Sequence, residues 1–226
     1  MKLQHLAAAA LLALAGAAQA AITYGSNLIV NGGAESGTDG WLAYAGYDLI
    51  QSVSYGSNWV LPTQPGPDDR GLKMFTGVGA YSVGYQMLDL GEITTQPLAY
   101  ELGGWLGGWQ AQGDNALLYV QFLDPSGFEL GHAALGPVTP ADRNNVTGLL
   151  YREAADWLPV GTAQLGFWLS MERQGGGDND GYADNLAFVL AAPAAVPEPA
   201  TLMLLAAALL MLGRRWRRHG GVVTRA

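Results

Sequence analysis

LAYELGGWLGGWQ, residues 98–110, decides the fold. Its even positions from Tyr100 run Tyr, Leu, Gly, Leu, Gly, and its odd positions run Glu101, Gly103, Trp105, Gly107, Trp109. A strand sends successive side chains to opposite faces, so the leucine side turns inward while one glutamate and two tryptophans turn out. The same parity in NALLYVQFLD, residues 115–124, places Leu118, Val120 and Phe122 inside and Tyr119 and Gln121 outside. In AQLGFWLSMER, residues 163–173, it places Leu165, Phe167, Leu169 and Met171 inside and leaves Trp168, Ser170 and Glu172 out. Three strands are thus expected to present tryptophan, tyrosine and amides to solvent.

Further runs of this kind are NLIV from Asn27, YDLIQSVSY from Tyr47, GLKMFT from Gly71, AYSVGYQMLDL from Ala80, FELGHAAL from Phe128, TGLLYREAADW from Thr147 and GYADNLAFVL from Gly181. DPSG at 124–127 has aspartate first and proline second, the signature of a type I turn, and predicts a hairpin. Helical periodicity is poor throughout. Eight to ten short strands separated by turns imply an all-β, antiparallel two-sheet sandwich over residues 21–191.

The ends differ from this middle. Lys2, an Ala/Leu run over 6–15 and the small-x-small triplet at 18–20 read as a signal peptide, residues 1–20, removed by signal peptidase. APAAVPEPA gives an extended Pro/Ala linker over 192–199. An apolar segment with an arginine cluster (200–218) and a short tail (219–226) close the sequence. The apolar run over 200–213 has 14 residues, fewer than the ~20 a helix needs to cross the hydrocarbon core comfortably.

Six of the eleven basic residues lie in these ends, against one of the nineteen acids, Glu198, so residues 21–197 carry a formal charge of −13. Such a surface repels nucleic acid and anionic lipid. Without cysteine, an exported domain of this size relies on its apolar core, with or without a bound metal. His132 is the single histidine outside the tails; with no cysteine partner and no nucleophile elbow it reads as an ordinary strand residue. No feature selects a carboxylate pair for glycoside hydrolysis. Ice binding would want a flat threonine array, and Thr94-Thr95 is the one adjacent threonine pair.

Two resemblances add to this reading. VPEP (Val196, Pro197, Glu198, Pro199), the short apolar run and RRWRR, which begins at Arg214 and Arg215, together resemble the PEP-CTERM sorting signal, a tail also named an ice-binding-protein C-terminal region. The resemblance implies a short hydrophobic helix held transiently in the inner membrane of a Gram-negative bacterium, arginines on the cytoplasmic side. It also implies an exosortase as processing partner and delivery to the cell surface or matrix. NLIVNGGAESG (27–37) and GYADNLAFVL (181–190) resemble the galactose-binding-like jelly rolls of carbohydrate-binding modules, with Ala34 where that motif commonly has an aromatic residue.

The second resemblance implies a structural calcium between Glu35 and Asp184, completed by backbone carbonyls. The carboxylates can meet only if the first and last strands are neighbours; otherwise Glu35 caps a turn and Asp184 binds backbone amides. GGGDNDGYADN fails as an EF-hand, because the loop's first and twelfth positions fall on Gly176 and Ala187; Asp178 and Asp180 read as solvated turn residues. Trp105 and Trp109, four residues or ~13 Å apart on one strand, flanked by Gly103 and Gly107 and joined by Trp168 and Tyr119, could stack on sugar rings while Gln121 and Glu101 bond hydroxyls. The competing reading folds these tryptophans flat or under a loop. The function expected is a noncatalytic exported protein that associates with exopolysaccharide; the alternatives are a polysaccharide-active enzyme and a structural or protein-binding surface domain.

Overall fold

The computed structural model describes residues 22–192 except Ser57; the expected leader, sorting segment and tail, and nearly all of the linker, lie outside the described residues. Ten strands form: β1 (Leu42–Ala43), β2 (Gln51–Ser54), β3 (Lys73–Thr76), β4 (Tyr81–Asp89), β5 (Leu98–Gly108), β6 (Asn115–Leu123), β7 (Glu129–Leu135), β8 (Gly148–Leu158), β9 (Gln164–Glu172) and β10 (Tyr182–Leu190). They make two five-stranded sheets. The front sheet has the order β1-β4-β9-β6-β7 and the back sheet β2-β3-β10-β5-β8. Every pairing between strands is antiparallel, giving a jelly-roll sandwich.

Period-two alternation builds the core between the sheets. Leu118, Val120 and Phe122 of β6 and Leu165, Phe167, Leu169 and Met171 of β9 meet Tyr100, Leu102 and Leu106 of β5 and Phe188 of β10, all buried. Phe188 stacks on Tyr100 at 5.1 Å and meets Phe167 edge-on at 5.5 Å. The DPSG turn closes the β6–β7 hairpin: the Gly127 amide donates to the Asp124 carbonyl at 3.0 Å. Asp124 Oδ1 also accepts the amides of Ser126 and Phe128.

NLIV does not become a strand. Asn27 makes one isolated bridge to Val189, and the chain then turns. The reason lies in the Asn27 side chain, which accepts the amides of Ile29 and Phe188 and donates to the Leu186 carbonyl. This clamp adds to three backbone bonds that tie the opening segment to β10, from the amides of Gly25 to Leu190, Leu28 to Phe188 and Leu186 to Gly32. Gly32 continues the contact, since a Cβ there would collide with the Leu186 carbonyl. Asn27→Ala leaves three backbone groups without partners and is expected to cost roughly 2–4 kcal/mol, read as a lower denaturation midpoint at unchanged slope.

Candidate functional site

The six residues expected to form one sugar platform are divided between the two sheets. Glu101 and Trp105 lie on β5 in the back sheet, with Trp109 just past its end; Tyr119, Gln121 and Trp168 lie on β6 and β9 in the front sheet. All point away from the shared core, so they face opposite sides of the sandwich. Parity tells which side of its own sheet a residue takes, and it carries no information about which sheet the strand joins.

On the back, the loop over 55–72 folds down onto the sheet. Its Val60 is fully buried with Met74, Leu149 and Tyr182, and Tyr55, Trp59, Trp105 and Trp109 pack around them as a second small core. The Leu149 amide is bonded to the loop carbonyl of Pro65 at 2.9 Å. Gly103 and Gly107 do not leave the tryptophan rings bare. The Tyr151 hydroxyl fills the space beside Gly103, and the β8 backbone at Gly148 closes on Gly107. Trp105 itself meets Tyr151 at 5.6 Å. Trp105 and Trp109 are therefore half-buried packing residues under a loop.

The front sheet is open. Tyr85 of β4, Trp168 of β9 and Tyr119 of β6 stand in register across three neighbouring strands. Tyr85 and Trp168 stack at 5.0 Å and 20°. Tyr44, from the loop after β1, stands edge-on to Trp168 at 5.1 Å and stacks on Tyr47 at 5.9 Å; Tyr47 in turn meets Tyr81. Tyr44 and Tyr47 keep 46% and 48% of their surface in solvent.

Beside the rings runs a chain of polar groups. Trp168 Nε1 donates to Gln121 Oε1, and Gln121 Nε2 donates to Glu129 Oε2, both at 2.7 Å. The Tyr119 hydroxyl donates to Glu129 Oε1 at 2.7 Å, and His132 Nδ1 lies 3.0 Å from that same oxygen. The hydrogen bond from Tyr119, with those from Gln121 and His132, holds the Glu129 carboxyl below the usual range. Desolvation and the neighbouring Glu129 push the Tyr119 phenol up to about 12. Gly166 makes room for this chain, because a Cβ there would lie 3.0 Å from Trp168 Nε1 and 3.3 Å from Met87 Sδ.

Glu129 and the tyrosines 44, 47 and 85 escaped the sequence reading. For Tyr85 a signal existed, since Tyr81, Tyr85 and Met87 share one parity. It was masked because the inward side of β4 reads Ser82, Gly84, Gln86: Trp41 and Ile50 fill the core beside Gly84 and leave no room for a larger residue.

A second polar site joins the two ends of the described chain. A bulge in β10 after Asp184, with Asn185 at φ 47°, sets the fully buried Asp184 beneath the back-sheet loop. Its Oδ2 accepts the Tyr55 hydroxyl at 2.6 Å and its Oδ1 the Asn185 amide at 2.8 Å. Burial, with a smaller push from the charges of Glu35 and Asp69, raises the Asp184 carboxyl to about 7 against these two bonds. Glu35 Oε1 accepts the amides of Leu72 and Lys73, each at 2.8 Å. Both backbone-bonding roles anticipated for these carboxylates are thus present, and the charge of Glu35 is felt at Asp184.

A carboxyl raised chiefly by its burial, with two acidic residues adding to it, suits a hard, oxygen-liganded cation. Asp184 and Glu35 would hold it, and its charge would stabilise the ionised Asp184. Among the described residues no three His, Cys, Asp or Glu side chains converge on one metal position, so carbonyl oxygens and water would supply the other ligands.

Asp180 is not solvated. It is buried, accepts the Tyr182 hydroxyl at 2.7 Å, and its amide donates to the buried Asp114. Asp178 is exposed, as read. His132 is an exposed strand residue tied to Glu129.

Comparison with known proteins bears on both parts of the chain. Residues 195–218 match the PEP-CTERM protein-sorting motif. The motif implies an exported protein, anchored transiently in the membrane, processed by an exosortase and passed to the cell surface. No curated protein matches the sequence. Among solved structures, the enzymatically active domain of bacteriophage CBA120 tailspike protein 4 is similar at a TM-score of 0.50 and 16% identity, over 73% of this chain and 21% of that one. TmCBM61 in complex with β-1,4-galactotriose gives 0.43 at 15% identity, covering 73% and 97%. The CBM22-1 xylan-binding domain of Paenibacillus barcinonensis Xyn10C gives 0.40 at 17%, covering 70% and 89%. The chain thus spans about a fifth of the tailspike domain's length, and the likeness concerns the fold.

Proposed function

We propose that this is a noncatalytic surface or extracellular-matrix protein of a Gram-negative bacterium that associates with exopolysaccharide through the open front sheet. The observation that carries the reading is the half-buried Tyr85–Trp168–Tyr119 row, flanked by the exposed Tyr44 and Tyr47 and bordered by the Gln121–Glu129 chain of hydrogen bonds. Flat rings take the apolar faces of pyranoses, and fixed amide and carboxylate oxygens take hydroxyls. Glu129, held down by its hydrogen bonds, is unsuited to the general-acid role of a glycosidase, which needs a raised carboxyl, and offers an ionised acceptor for hydroxyls. Calcium at Asp184 and Glu35, with their backbone neighbours, belongs to the same reading as a structural ion.

The test is affinity electrophoresis of the full-length protein in native exopolysaccharide, xylan and β-1,4-galactan. Retardation by at least one polymer is expected, weakened about tenfold or more in Trp168→Ala while the melting temperature shifts little. Retention of full affinity by Trp168→Ala, or no retardation in any polymer, would sink the front-sheet reading.

A further inference from the structure

The loop covers the back sheet only at the Trp105–Tyr182 end. Beyond it, β5, β8 and β10 floor an open trough of two adjoining hollows, about 340 and 450 Å³, that share Glu101, Ala155 and Val189. The floor is low because Ala99, Gly103 and Ala187 leave almost no side chain there. Two exposed rings from β8 rise along it, Trp157 at 61% and Tyr151 at 47% exposure. Six residues separate them on one strand face, or ~20 Å.

Between the rings the charge has one sign. In the β5–β8 ladder Glu101 stands opposite Ala155 and Glu153 opposite Gly103, so the two residues are diagonal neighbours on one face, their Cα atoms about 7–8 Å apart. No hydrogen bond or ion pair among the described residues engages either carboxylate. The nearest basic residue along β8, Arg152, turns to Asp142 at 3.7 Å. Two unpaired carboxylates this close on one sheet face make a locally negative spot that a cationic group would neutralise.

We infer that this trough is a second glycan site, selective for a chain of amino sugars bearing free ammonium groups. Pyranose faces stack on Trp157 and Tyr151 while ammonium groups pair with Glu101 and Glu153. Uronate or phosphate polymers are repelled, and the shallow Ala/Gly floor offers no pocket for the apolar anchors of a peptide. None of these residues belongs to the front face, so this site stands or falls separately from the reading above. With glycan sites on opposite sides of one sandwich, a single molecule would tie two polymer chains together.

The test titrates full-length protein calorimetrically with a short, fully deacetylated glucosamine oligomer, its N-acetylated counterpart and an oligolysine peptide, under mildly acidic conditions that protonate the amines. The expected result is binding of the glucosamine oligomer, about tenfold or more weaker in Glu101→Gln/Glu153→Gln and in Trp157→Ala. Trp168→Ala should bind it as the wild type does, and the N-acetylated oligomer should bind at least about tenfold more weakly. All substituted positions in the trough are exposed, and melting curves report that the variants are folded. Equal binding by wild type and both trough variants overturns the site, as does no binding at all. Oligolysine bound as tightly as the glucosamine oligomer would replace the glycan with a basic peptide and overturn it too.

Discussion

Chelated protein should lose thermal stability as the pH rises from about 4 to 7, and calcium should restore it at pH 7. The cause is Asp184, whose folded-state carboxyl is raised from 3.8 to about 7. In that window the folded state holds a proton that the unfolded chain releases, so ν_U − ν_N is negative and stability falls with pH. A raised carboxyl contributes fully below the unfolded value and loses its contribution as pH climbs through the folded one. At about 1.4 kcal/mol per unit, the loss is about 4 kcal/mol, or ~10 °C in melting temperature for a domain of this size.

Calcium binding the ionised carboxylate would oppose the loss by mass action. Asp184→Asn keeps an acceptor for the Tyr55 hydroxyl and removes the titration, so the calcium response should disappear and the pH slope should shrink to the part that Asp180, whose carboxyl burial also raises, leaves behind. A wild-type profile that is flat from pH 4 to 7 in chelator would sink the linkage. A calcium response equal in Asp184→Asn would place the ion elsewhere.

Trp105→Ala should destabilise the protein by about 3 kcal/mol, near the lower range for large aromatic truncations, and leave polysaccharide affinity unchanged. Trp105 is half-buried against Tyr151 and the core of Val60, Met74, Leu149 and Tyr182, so truncation opens a void under the loop. Trp168→Ala, half-buried on the front sheet against Tyr85 and Tyr44, should instead weaken polysaccharide affinity, with the smaller loss of stability. Denaturant melts and affinity electrophoresis on the two variants separate these roles. Equal loss of binding in Trp105→Ala, at unchanged stability, would return the sugar platform to the back sheet.

Eight of the ten strands lie within runs that alternation marks in the sequence, and β8 runs one residue past its own, to Leu158, because period-two burial is written into each strand alone. β1 was missed, being two residues long, and the opening NLIV was read as a strand because its apolar residues hide a side-chain clamp by Asn27. Half of the front-face site was legible as outward-facing Trp168, Tyr119 and Gln121. Tyr85 was obscured by the small inward side of β4, and Glu129 gains its role only through three partners on β6 and β7.

The sequence by itself determined the all-β class, the inward and outward sets of β5, β6 and β9, the DPSG hairpin and the sorting motif at the C-terminal end. Each is a local pattern, readable from spacing and turn chemistry within a few residues. Tertiary structure alone decided which sheet each strand enters and what covers it. β5 and β6 are consecutive, yet they lie in different sheets, so Trp105 and Trp168 face opposite sides. Membership of a sheet is set by pairing between distant strands and by loop 55–72 closing over one face, and these long-range choices leave no periodic trace in either strand.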